Sequence, residues 1–207
     1  MRCALAYGRW LGILGIFSAS PGFAFAASDF GVTGLLDMPT ARMQGNGALT
    51  LGTSQADTED IYFLTYQAFP WLEASFRYLN PNPGKKFGAG DVRNTDRSFE
   101  AKLRLLQESV YWPEVALGAR DLLGTGRFSG EYLVASKAWR ALDLTLGLGW
   151  GRLATRQTLS NPFGGDRSDA REAGDLGGRP LTGALFQGDD LGVFGGVRVH
   201  LSEKIDF

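Results

Sequence analysis

From Leu142 to Gly151 the chain alternates without a break, with Leu142, Leu144, Leu146, Leu148 and Trp150 on one side and Asp143, Thr145, Gly147, Gly149 and Gly151 on the other. A period of two puts successive side chains on opposite faces of a β-strand. A helix would scatter the leucines around its circumference and carry interior glycines, each costing about 1 kcal/mol relative to alanine. The same alternation sets Leu72, Ala74, Phe76 and Tyr78 against Glu73, Ser75 and Arg77, and Val193, Gly195, Val197, Val199 and Leu201 against Phe194, Gly196, Arg198 and His200. Shorter strands are expected at 48–54, 61–69, 115–121 and 131–139. Residues 98–106 fit both a strand and a helical stripe (Phe99, Leu103, Leu106); with strands on either side and no capping box, they are read as a strand. The 29 glycines, about twice ordinary usage, follow no collagen-like period and favour strands and turns.

Alternation does not say which face meets solvent. A soluble barrel or sandwich buries its apolar face, whereas a membrane barrel turns it to lipid and keeps polar and small residues inside. Two features favour the membrane. Connectors alternate between short (69–71, 107–114, 139–141) and long (80–97, 154–190), as periplasmic turns and external loops do in outer-membrane barrels. Each short connector carries a tryptophan, Trp71, Trp112 or Trp139, which would set all three at one membrane rim. Core packing at hairpin ends is the alternative for these three.

The N-terminus reads as a cleavable signal peptide at 1–26: Arg2 and Arg9, an apolar core from Trp10 to Phe17, then Pro21 and a small-residue site at Ala24 to Ala26. That core is short of the roughly 20 residues a spanning helix needs, and no long apolar run follows, so any span is made of strands. The expected organisation is a signal peptide (1–26), a lead segment (27–47) and barrel strands (48–207). Cys3 is the only cysteine and falls before the apolar core, so a lipid anchor, a disulfide or a cysteine metal site is not expected in the mature chain. The net charge of −1 becomes −3 once Arg2 and Arg9 are removed, which argues against nucleic acid as a partner.

The run Phe30-Gly31-Val32-Thr33-Gly34-Leu35-Leu36-Asp37-Met38-Pro39-Thr40-Ala41-Arg42 resembles the opening of the YjbH-type family, outer-membrane proteins linked to exopolysaccharide and capsule production. The likeness continues through Tyr111 to Pro113, Ala116 to Asp121, Gly124 to Gly126, Phe128, Glu131 to Lys137 and Leu144 to Leu153, and covers essentially the whole mature chain. It implies a non-enzymatic β-barrel in the outer membrane of a Gram-negative envelope, assisting polysaccharide biosynthesis, export or surface assembly beside other envelope export proteins. An outer-membrane enzyme acting on lipid or glycan, or a structural or adhesive barrel, are the alternatives. Family members are usually longer, so Phe207 is expected to end a fragment or a shortened version, with 204–207 starting another strand.

The chemistry expected is that of a lumen, with no catalytic residue, cofactor or metal. His200, the single histidine, shares the polar face with Arg198 and reads as a solvated or hydrogen-bonded lumen residue. Gly124, Gly126 and Gly130 lack dinucleotide spacing and suit a tight turn. Asp166, Asp169, Glu172 and Asp175 lack EF-hand order and read as a solvated loop face. Inward polar faces would bring Arg77, Lys102, Arg104, Arg120 and Arg198 into the lumen with Glu73, Glu100, Asp121 and Asp143. These could be ion pairs filling a small barrel, or a basic track for an acidic exopolysaccharide with Tyr62, Tyr66 or Tyr132 stacking on sugar rings.

Overall fold

The computed structural model describes residues 27–55, 59–81, 95–124, 126, 128–154, 159–164, 185–202 and 205–206. The expected signal peptide with Cys3, the cores of both expected long loops including Asp166, Asp169, Glu172 and Asp175, and Lys204 and Phe207 lie outside them. The described chain is antiparallel β-structure. A two-strand hairpin, β1 (Gly34–Leu35) and β2 (Met38–Pro39), comes first. Then follow β3 (Leu49–Gln55), β4 (Glu59–Phe69), β5 (Leu72–Pro81), β6 (Asp96–Leu106), β7 (Glu114–Arg120), β8 (Gly130–Trp139) and β9 (Leu142–Gly149). After a 3-10 turn at Gly151–Ala154 come β10 (Leu159–Ser160), β11 (Asp190–Ser202) and β12 (Ile205–Asp206). Each strand from β3 to β9 pairs with its sequence neighbour, β11 joins β9, and β10 and β12 pair short stretches of β11. Residues 98–106 are strand, as their neighbours suggested.

The sheet curls around residues 27–48. Thr65 of β4 donates to the carbonyl of Gly31, and Arg198 of β11 reaches the carbonyl of Gly34. Those two strands are six steps apart and would stand about 29 Å from one another in a flat sheet; their partners are three residues apart along the chain. The curl does not become a closed barrel: β3 and β11 are not paired with each other among the described residues.

Glycines let the curled face pack tightly. Gly52, Gly118 and Gly147 pair directly with Phe63, Tyr132 and Phe194 on the next strand. Each ring lies where a Cβ would stand, within 2.2 Å, 2.1 Å and 2.2 Å respectively. The aromatic side chain thus covers the gap its glycine partner leaves, a device that pins register.

The connections divide between the two ends of the strands. The turns at Pro70–Trp71 and Arg140–Ala141 and the connector 107–113 share one edge, and Trp71, Trp112 and Trp139 are all exposed there. Phe69 stacks on Trp71 at 5.4 Å. The other edge carries the connections 56–58, 82–95, 121–129 and 150–189. One expectation fails at this edge. Trp150 does not continue the outward leucine row, because β9 ends at Gly149 and the chain turns at Gly151 (φ 60°). Trp150 is buried instead, its indole Nε1 donating to Asn161 and its ring edge-on to Phe186 at 5.1 Å. Asn161 in turn donates to the carbonyls of Phe186 and Gly188, tying the two described ends of the long loop together.

Candidate functional site

The inward face of the sheet is where the charged side chains converge, and residues 27–48 fill it as a plug. At the tryptophan edge Arg42 gathers three carboxylates: Asp143 by two bonds (3.0 and 2.7 Å), Glu114 at 3.0 Å, and Glu108. Arg104 adds a contact to Glu114 at 3.3 Å and Lys137 one to Glu108 at 3.2 Å, so three bases meet three acids. Burial works against the Arg42 charge, but the bonds from Asp143 and Glu108 outweigh it and hold its pKa above the ordinary value. The same bond from Arg42 overcomes the upward push of burial on Glu108 and holds that carboxyl below its usual range.

At mid-height Lys102 is wholly buried. Its Nζ donates to Glu73 at 2.9 Å and to the plug carbonyls of Thr33 (3.1 Å) and Arg42 (2.8 Å). Glu73 accepts from Lys102 and also from the backbone N–H and the hydroxyl of Thr33. Nearby, Ser136 accepts from the Ala41 N–H.

Towards the loop edge Phe30 of the plug lies between two guanidiniums, Arg120 at 4.5 Å and Arg77 at 5.0 Å from its ring centre. Arg120 pairs with Glu100 at 3.2 Å, and the Tyr132 hydroxyl donates to the same carboxylate. Just beyond β7, Asp121 is fully buried with φ 57° and accepts from the Phe128 N–H. Burial, and then the neighbouring Asp96, push its pKa up to about 6.

The five basic residues expected in a lumen do face inward, but they do not share one open surface. Arg77, Lys102, Arg120 and Arg198 are buried, and Arg104 is part of the Arg42 network. Tyr62 and Tyr66 fall on the exposed outer face with Leu64, since their parity is opposite to that of Thr65 and Gln67. Tyr132 is inside and covers Gly118. Among the described residues no three His, Cys, Asp or Glu side chains are placed to hold a metal ion together. Sequence reading missed the plug residues, Arg42 and Phe30 above all. The available signal was Arg42 itself, the one cation between residues 27 and 48, in a chain whose later segments carry Glu108, Glu114 and Asp143.

Comparison with known proteins places these features. The family described as "YjbH: Exopolysaccharide biosynthesis protein YbjH" matches residues 26–207. The "Uncharacterized lipoprotein YjbH" of Escherichia coli (strain K12) is 46% identical over an alignment of 160 residues that covers 72% of this chain and 23% of that relative's length. No solved structure matches. The run that opened the resemblance, Phe30 to Arg42, lies within the plug, and its partners lie on strands β4 to β11 and in the connector 107–113. The chain belongs to the YjbH family of exopolysaccharide biosynthesis proteins.

Proposed function

We propose that the chain forms a membrane-spanning β-sheet of an outer-membrane barrel, delivered by cleavage near Ala26, and assists exopolysaccharide biosynthesis, export or surface assembly without catalysing a reaction itself. The observation that carries the membrane reading is the inversion of the sheet. Its inner face buries Lys102, Glu73, Arg77 and Glu100, while Leu49, Leu51, Leu64, Phe99, Leu144, Leu146, Val193 and Val197 are exposed on the outside. Water does not favour that arrangement, whereas a hydrocarbon surround does. Trp71, Trp112 and Trp139 then sit at one lipid–water boundary, where an amphipathic ring suits both phases. The polysaccharide reading is supported by the family's description, with other envelope export proteins as expected partners. The charge ladder inside supports a sealed scaffold better than an open basic track, because carboxylates and plug carbonyls already engage the cations.

The test is expression of the full gene with its leader in a Gram-negative host. The mature chain is expected to begin at Ala27, to fractionate with the outer membrane and to shift in gel mobility on boiling; deletion of the gene is expected to change surface polysaccharide. Recovery as a soluble periplasmic protein would refute the membrane reading, and unchanged polysaccharide the functional one.

A further inference from the structure

The plug does not fill the interior completely. At the loop edge a cavity of about 340 Å³ remains, lined by Asp29, Phe30 and Asp37 of the plug together with Glu59, Arg120 and Arg152. We propose that this cavity binds one residue of an uncharged, hydroxyl-rich glycan, an assignment that rests on the polysaccharide role above and gives it a contact point.

Its volume sits at the small end of ligand pockets, which run from about 300 to 1,000 Å³. The polar lining is mixed in the way a sugar needs, since ring hydroxyls both donate and accept: carboxyl groups accept, guanidiniums donate. Arg120 is built in rather than loose. It is 5% exposed, fixed by Glu100 and Phe30, and its Nη2 has no hydrogen-bond partner. Ile61 and Leu153 complete an apolar wall. The charge balance argues against an acidic sugar. Asp29 bonds to Asp37, and burial followed by that bond raises its pKa. Three carboxyl groups, Asp29, Asp37 and Glu59, stand against two guanidiniums, and Arg120 is already paired with Glu100, so a uronate would bring its own charge into an acidic lining.

The experiment titrates the full chain, purified in detergent, with neutral tetrasaccharides of glucose, galactose or N-acetylglucosamine, and with tetragalacturonate. At least one neutral oligomer is expected to bind with a Kd at or below about 1 mM, and tetragalacturonate about tenfold more weakly. Ser54→Phe, which fills the cavity from β3, and Arg152→Ala, at an exposed position that leaves folding intact, are each expected to weaken binding about tenfold. Tyr62→Phe on the outer face is expected to leave it unchanged. Absence of binding to every neutral oligomer, a preference for tetragalacturonate, or equal binding by Arg152→Ala would each overturn the assignment. In cells the two readings separate: normal polysaccharide in the Ser54→Phe and Arg152→Ala strains alongside a defect on deletion removes the subsite alone, whereas normal polysaccharide on deletion removes the wider role.

Discussion

In the middle of β9, Leu146 is 64% exposed and Thr145, one residue earlier, is 6% exposed. The contrast holds along the sheet: the face turned to the plug is charged and dry, and the face turned away is apolar and open. In a water-soluble protein the assignments would be the other way round. The difference teaches that the two faces answer to different surroundings. The inner one is governed by the pairing of charges that cannot reach water, and the outer one by transfer of hydrocarbon into whatever bathes it.

The inner face should be the more fragile. Lys102→Met leaves Glu73 buried with only the Thr33 donors, and removing one member of a buried pair costs about 3–5 kcal/mol. Loss of the heat-shifted folded form on gels, or a large drop in the denaturant midpoint, is the expected reading. Combining it with Glu73→Gln removes both charges and should recover most of that loss. No recovery in the double variant would show that Lys102 acts through its bonds to the Thr33 and Arg42 carbonyls rather than through the ion pair.

The outer face is tested by charge. Leu146→Arg should cost about 2–4 kcal/mol and reduce membrane assembly if that face meets the bilayer midplane. If it meets water, the same change should leave stability within about 0.5 kcal/mol and improve solubility. Assembly yield in outer-membrane vesicles decides between them.

How much of this contrast could be read before the structure depends on the range of the interaction. The strands were legible because a period of two is local: β4, β5, β6 and β8 fall where the alternation of Ile61, Leu72, Phe99 and Glu131 put them. The edge shared by Trp71, Trp112 and Trp139 was legible for the same reason, through connector length. The plug was not, because Thr33, Arg42 and Phe30 find partners on strands that no spacing rule connects to them. Trp150 was misplaced because an alternation read from residue types does not register where a backbone turns, here at Gly151.

The border between the faces and the loops is tested by pH. Asp121 has a folded pKa of about 6 against an ordinary 3.8, so the fold prefers it protonated. Its contribution is therefore complete below about pH 3.8 and is lost as pH rises through about 6. Asp121→Asn can still accept from the Phe128 N–H, and should flatten the pH dependence of the unfolding midpoint between pH 4 and 7. An undiminished slope in that variant would assign the dependence to another group.

The plug also sets a schedule. Its contacts span 95 residues from Ala41 to Ser136, 101 from Arg42 to Asp143 and 164 from Gly34 to Arg198. The plug therefore obtains its last partner, Arg198, only when β11 is in place. Contacts so distant are slow to form, because the entropy of closing long loops is spent before they contribute. Until then Arg42 and the carboxylates it will join are better served by water than by one another. The plug segment must stay hydrated and uncommitted while β3 to β9 zip edge to edge, and the sheet then wraps around it.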